Sequence, residues 1–351
     1  MKLKNKPKSF TILLCLLSMQ FTIQAQDIHF SQFYMSPLTL NPALAGATHD
    51  LDAAINYKNQ WQSIAAPYKT TGASFDMRFN KKRGTGFWAV GVNFYSDKAG
   101  DAQMGTAQAN LTLAYHVFLS QYSTLGAGIQ GGYAQRSINY SVLQWGNQFD
   151  GMSYNPALYS GEPLNASNSI SYFDGGTGLD WNYDNTSGGA SVTGNNDKIA
   201  NVGIALFHVN QPNYSFYGQG EKLYMRYVLH GDGVFSIANS NIALRPGFMY
   251  SMQGSATELY FGTLVRYMLK QGSKYTGAFK SSAISIGGYY RSGDAFVADM
   301  LIEYSNYGIG VSYDFNVSGL SSVSSGRGGM EISLRYVLPN PFSGGGSKAM
   351  F

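Results

Sequence analysis

Three features of this sequence could carry chemistry. Asp180-Trp181-Asn182-Tyr183-Asp184 sets three oxygen-bearing side chains two residues apart, as the opening of a calcium loop does. Asn185 then stands where such a loop needs Gly, and Ser191 where it needs a bidentate Glu. A strand end that places Trp181 and Tyr183 at a lipid interface explains the same letters better. Gly175-Gly176-Thr177-Gly178 lacks the Gly-Lys-Ser/Thr ending and the following helix of a phosphate loop, and reads as closely packed strand backbone. His29, His49, His116, His208 and His230 form no His-Glu-x-x-His pair, and there is no Gly-x-Ser-x-Gly elbow. No catalytic residue, metal site or cofactor is expected.

The elements that would position such residues are strands. In the last segment Met330, Ile332, Leu334, Tyr336 and Leu338 alternate with Glu331, Ser333 and Arg335, so one face is oily and the other polar. The pattern recurs. Leu51, Ala53, Ile55 and Tyr57 oppose Asp52, Asn56 and Lys58; Phe75, Met77 and Phe79 oppose Asp76 and Arg78; Ala298, Met300, Ile302 and Tyr304 oppose Asp299 and Glu303. Repeated segments of about ten residues, apolar outside and polar inside, mark a transmembrane β-barrel. The fold class is therefore all-β, a single antiparallel barrel of about 14 strands.

The first seven strands are expected near 51–58, 69–79, 85–96, 103–118, 122–135, 170–184 and 199–210. The other seven are expected near 223–235, 241–252, 256–268, 280–291, 295–304, 307–316 and 330–338. An even count puts both ends of the barrel on the periplasmic side, with the long connections 136–169 and 211–222 outside and 185–198 an unusually long inner turn. The inward charges, among them Asp52, Asp76, Arg78, Asp299, Glu303, Asp314, Glu331 and Arg335, are expected to neutralise one another by pairing.

Residues 1–25 explain how the chain would reach a membrane. Lys2, Lys4, Lys6 and Lys8 precede an apolar run from Phe10 to Phe21, and Ala25 offers a small residue for cleavage. Cys15 follows Leu14, where a lipoprotein signal would want a small residue. Removing four of the 24 Lys+Arg leaves 20 against 20 Asp+Glu, so the basic footprint of a nucleic-acid partner is missing. Only 13% of residues are charged while 15% are aromatic and 42 are Gly, a balance that suits a lipid-facing barrel.

Residues 26–50 are not a membrane strand, because Pro37 and Pro42 each remove a ladder donor. Asn41-Pro42-Ala43-Leu44-Ala45-Gly46 reads as one helical turn, with Asn at the cap, Pro at the first position and Gly at the exit. This leader is expected as a plug in or under the barrel 51–338, and 339–351 as a periplasmic tail. Trp61, Trp145, Tyr154, Tyr159, Tyr214, Phe216 and Tyr217 lie on expected outer loops among Gly, Asn and Ser. That is the composition of protein-recognition surfaces.

Several blocks resemble the PorP/SprF family of outer-membrane proteins of the type IX secretion system of Bacteroidetes. They are Asp27-Ile28-His29-Phe30-Ser31-Gln32-Phe33, Asn41-Pro42-Ala43 with Gly46, and Gln60-Trp61. Trp145-Gly146-Asn147-Gln148 with Ser160-Gly161-Glu162, and His208-Val209-Asn210-Gln211-Pro212 with Ser215-Phe216, Arg226, His230 and Gly233, complete the series. Phe33 departs from the usual Tyr and Asn147 from a common Asp. The resemblance implies an accessory role in type IX secretion and gliding, without enzymatic activity. It implies as partners the secretion and gliding machinery and secreted surface proteins, often adhesins, that carry a C-terminal sorting domain. The leader also looks like the lumenal hatch of long-chain fatty acid transporters, whose barrels have fourteen strands. That makes transport of hydrophobic small molecules the alternative.

Overall fold

The computed structural model describes residues 27–62, 66–79, 85–162, 168–185, 198–217, 220–270, 281–319 and 321–338. The expected signal peptide 1–25 and tail 339–351 lie outside the described residues, as does most of the inner turn 185–198.

Fourteen strands form one closed antiparallel barrel. They are β1 (Leu51–Gln60), β2 (Tyr68–Phe79), β3 (Gly86–Ala99), β4 (Met104–Phe118), β5 (Ser123–Ser137), β6 (Ser169–Asp184) and β7 (Lys198–Phe207). Then come β8 (Arg226–Ser236), β9 (Ile242–Gln253), β10 (Ala256–Lys270), β11 (Ser282–Arg291), β12 (Ala295–Tyr304), β13 (Tyr307–Asn316) and β14 (Arg327–Leu338). Each strand pairs with its sequence neighbour, and the ring shuts where β1 meets β14, from Leu51 opposite Leu338 to Gln60 opposite Gly329. Closure leaves no free edge, which a lipid-embedded sheet requires.

The period-2 alternation sets the two faces, and it is inverted relative to a soluble core. On β1, Ile55 and Tyr57 face out while Asp52, Asn56 and Lys58 are buried inward. On β14, Met330, Ile332 and Leu334 are exposed while Glu331 and Ser333 are about 1% exposed. Tyr57, Trp88, Trp181 and Tyr304 all turn outward near strand ends. The expected strand 199–210 stops at Phe207 because His208 takes a left-handed φ of 56° and a turn closes from Gln211 N–H to the His208 carbonyl. The next strand begins at Arg226 rather than 223, and the last at Arg327 rather than 330.

Part of the expected pairing of inward charges is present, while Asp76, Asp299 and Glu331 instead accept from uncharged donors of the leader. Arg335 forks onto Asp52, with Nε at 3.0 and 2.9 Å from the two carboxylate oxygens. Arg266 and Arg245 share Glu303 at 2.6 and 3.0 Å. Arg291 reaches Asp314 at 2.8 Å, with Lys58 at 3.8 Å from the same carboxylate.

Candidate functional site

The leader runs inside the barrel. Three short turns, Phe33–Met35, Pro37–Leu40 and Pro42–Leu44, are almost wholly buried. The sequence motif 41–46 folds as its residues require. Asn41 Oδ1 accepts from Ala43 N–H at 2.8 Å, Pro42 opens the turn, and Gly46 leaves it with φ of 64°.

Two layers of contact hold the leader. The lumenal carboxylates accept its donors. Glu331 takes the backbone N–H of Ser31 at 2.6 Å and of Gln32 at 3.0 Å. Asp314 takes the Ser31 hydroxyl at 2.8 Å, Asp299 takes Gln32 Nε2 at 2.7 Å and the Tyr34 hydroxyl at 2.8 Å, and Asp76 takes Gly46 N–H at 2.7 Å. Donors of the wall take leader carbonyls in return. Tyr260 donates to Ser31 O at 2.7 Å, Arg226 to Thr39 O at 2.9 Å and Asn182 to Ala47 O at 2.8 Å. Buried backbone groups that leave water need such partners. The apolar layer is a ring cluster, with Phe33 edge-on to Tyr260 at 5.7 Å and Tyr260 stacked on Tyr289 at 5.1 Å.

Glycines of the wall make room for the leader. A Cβ on Gly178 would stand 1.9 Å from Asn41 Oδ1, and one on Gly128 would stand 2.5 Å from the Pro42 carbonyl carbon. Gly178 closes the Gly175–Gly178 stretch, and the close packing expected there is packing against Asn41. Asn41 Nδ2 also reaches Leu179 O at 3.0 Å and His230 Nε2 at 3.0 Å. Phe30, Ser31, Gln32, Asn41, Pro42, Ala43 and Gly46 are thus brought together within one lumen.

The direction of the leader differs from a segment confined to the periplasmic mouth. Gly46 meets Asp76 near the end where β1 starts, but Asp27 lies at the opposite mouth, beside the ends of β7, β8 and β9. There Asp27 N–H donates to Gln253 Oε1 at 3.0 Å, and its carboxylate lies 2.5 Å from His208 Nε2 and 3.5 Å from Arg226. Asp174 takes the other His208 nitrogen at 2.9 Å. Burial alone would lower His208, but the charge of Asp27, reinforced by the two carboxylate hydrogen bonds, raises it to about 9. Burial would raise Asp27, yet the His208 charge and bond and the Arg226 charge hold it well below the usual carboxylate range. Sequence reading passed over this group, because Asp27, Asp174 and His208 are far apart in the chain. Its signal was available in the topology, since β6 and β7 are neighbours and β7 ends opposite Gly176, which sets His208 beside Asp174. A small recess opens beside it, walled by Ile28, Phe30, Phe33, Leu40 and Met249 together with Arg226 and Glu258.

The long-loop end carries the expected aromatic residues in two settings. Tyr154, Tyr159 and Tyr217 are exposed, whereas Trp61, Trp145, Tyr214 and Phe216 are half-buried. Arg136 lies over the Tyr214 ring at 4.9 Å and the Phe216 ring at 5.3 Å, and Trp61 packs edge-on against Tyr68 at 5.0 Å. The two long loops touch where Tyr217 donates to Glu162 at 3.2 Å. Beyond them, Phe149 and Met152 stand 59% and 94% exposed. A turn at Asp150-Gly151 thrusts them out, with Asp150 Oδ1 accepting from Met152 and Ser153 N–H at 2.8 and 2.7 Å. Among the described residues, no three or more His, Cys, Asp and Glu side chains gather as a metal site.

A family model described as "Type IX secretion system membrane protein PorP/SprF" matches residues 22–336. No curated protein sequence matches the chain. Among solved structures, the toluene transporter TbuX of Ralstonia pickettii is similar at 9% identity and a TM-score of 0.46, over 86% of this chain and 93% of that one. BamA from Haemophilus ducreyi, lacking POTRA domains 1-3, is similar at 9% identity and a TM-score of 0.41, over 83% and 70% of the two chains.

Proposed function

The chain belongs to the PorP/SprF family of type IX secretion system membrane proteins, and it is a barrel of the outer membrane. From that premise we propose that it is a closed accessory barrel. Its outer loops would hold the C-terminal sorting domain of a secreted surface protein, such as a gliding adhesin, beside the secretion machinery. The observation that carries this reading is the lumen. A leader bonded to the wall from Asp27 to Gly46 occupies the lumen among the described residues, which supports contact with cargo at the rim. Bacterial barrels keep their long loops outside, which turns Phe149, Met152 and Tyr159 toward the medium. Exposed rings and a thioether on a rigid turn suit a partner surface. The leader's role in this reading is that of a permanent plug.

The test replaces Phe149, Met152 and Tyr159 together with Ala. Cargo should appear in the medium while the barrel remains folded and heat-modifiable on gels. Cargo retained on the cell at wild-type levels would sink the loop contact. Transport of hydrophobic small molecules is the second reading, favoured by the recess beside Phe30 and Leu40. It would need a continuous apolar path, and the recess ends on the buried Phe33 cluster. Binding of a fluorescent fatty acid to the purified barrel, lost on Met249→Asp, would favour it instead.

A further inference from the structure

Halfway down the inner wall, toward the end where β1 starts, a group of acceptors has been gathered without donors. Asp180 on β6 is 1% exposed, and neither of its carboxylate oxygens has a partner. Asn182, two residues on and therefore on the same face, is 4% exposed with its Oδ1 unpartnered. Asn201 on β7 lies directly opposite Asn182, and its Oδ1 is unpartnered as well. Asp232 on β8 lies opposite Asn201. Residues directly opposite on neighbouring strands hold their Cβ atoms about 5 Å apart. The four side chains therefore share one patch of wall.

The orientation of both amides is settled by what their nitrogens face. Asn182 Nδ2 donates to the Ala47 carbonyl at 2.8 Å, and Asn201 Nδ2 donates to Asp232 Oδ1 at 2.7 Å. Both partners accept only, so neither amide can flip, and each carbonyl oxygen is left on the open side. In the same row, across Gly203, His230 Nε2 takes the Asn41 amide hydrogen, which leaves the ring proton on Nδ1, also without a partner. One donor cannot satisfy a carboxylate and two amide oxygens. An unpaired carboxylate out of water is among the costliest groups a protein can bury.

We propose that Asp180, Asn182, Asn201 and Asp232 form a calcium site inside the barrel wall. The ion supplies the positive charge the carboxylates lack and accepts lone pairs from both amide oxygens. Calcium takes about six to eight oxygen ligands at about 2.3–2.6 Å in irregular arrangements, completed by water, whereas magnesium demands a near-ideal octahedron. Two carboxylates favour a divalent over a monovalent ion. The site borrows only Asp180 and Asn182 from the loop-like stretch 180–184, and it is assembled across three strands rather than along one loop. It is independent of the secretion reading.

Isothermal titration of the full-length barrel in detergent with calcium chloride tests this. One calcium per barrel is expected, with binding weakened at least tenfold in Asp180→Asn and in Asn201→Leu. Both variants should still run as folded barrels before boiling, because neither loses a partnered group of the wall apart from the Asn201–Asp232 bond. Calcium should also raise the unfolding temperature of the wild type and not that of Asp180→Asn. Terbium, excited through the neighbouring Trp181, gives a second readout, and its emission should vanish in Asp180→Asn. The proposal is overturned by equal unfolding temperatures in calcium and in chelator, or by calcium binding that survives Asp180→Asn. Equal stabilisation by sodium or magnesium at the same concentration would also overturn it.

Discussion

Gly178→Ala puts the contact between leader and wall to a direct test. The new Cβ would lie 1.9 Å from Asn41 Oδ1 and 3.1 Å from the Ile204 carbonyl, so Asn41 must move. Moving it breaks the cap on Ala43 N–H, worth about 1 kcal/mol. It also strands the buried Nδ2 donors that serve Leu179 O and His230, which costs about 1–3 kcal/mol more. The leader should undock about 30- to 700-fold more often, at about 1.4 kcal/mol per factor of ten. Ser36 is 2% exposed, and a Ser36→Cys reporter in a Cys15→Ser background reads that opening through its maleimide labelling rate. In the regime of rapid reclosing the rate follows the open population. Gly131→Ala is the matched control, since nothing lies within 4 Å of a Cβ there. If Gly178→Ala labels no faster than Gly131→Ala, the leader is not held by this contact and the argument fails.

Four further outcomes are expected. His208 has its pKa raised from 6.5 to about 9, so its contribution to leader docking is complete below pH about 6.5 and is lost as the pH rises through 9. Asp27 is shifted downward, so its contribution is present above its unfolded value of about 3.8 and is lost as the pH falls. Ser36→Cys labelling, normalised to an unfolded control, should therefore accelerate between pH 6.5 and 9 in the wild type and not in His208→Gln. Arg335→Ala leaves Asp52 buried without its fork, which should cost about 3–5 kcal/mol and lower the unfolding temperature of the gel-resolved barrel. Deleting residues 27–46 should turn a silent barrel in planar bilayers into one with a large steady conductance, and a large conductance in the intact protein would refute the closed lumen. Circular dichroism of the purified protein should show a β spectrum, and a helical one would refute the fold.

What was legible in the sequence followed from short-range rules. A strand repeats every two residues, so Glu331, Ser333 and Arg335 reveal their common face without any partner being known. The turn at Asn41–Gly46 was equally legible, because its cap and exit lie within six residues. Partners across the lumen were not. Ser31 meets Glu331, 300 positions away, and no local pattern encodes which of several inward carboxylates lies opposite a given leader donor. The rim shows the same limit. Tyr214 and Phe216 read like free rings, yet Arg136 from the end of β5 lies over both, and composition cannot report a cation placed by another loop. Met152 reads as an ordinary loop residue, and only the Asp150 turn lifts it clear.

The path of the leader also bears on how the barrel is built. It enters beside Asp27 at one mouth, leaves beside Asp50 at the other, and is enclosed by a seam joining the first strand to the last. Threading it after closure would drag Phe33, Tyr34 and Leu38 through a passage already filled by their own neighbours. Assembly with the leader already in place avoids that passage. In that order the open sheet would roll up around a segment made before any strand, as cloth is wound on a mandrel, and Glu331 on β14 would meet Ser31 and Gln32 as the final seam shuts. The entropy of bringing together chain ends some 300 positions apart is then met in stages, each wall residue that captures the leader shortening the loop still to be closed.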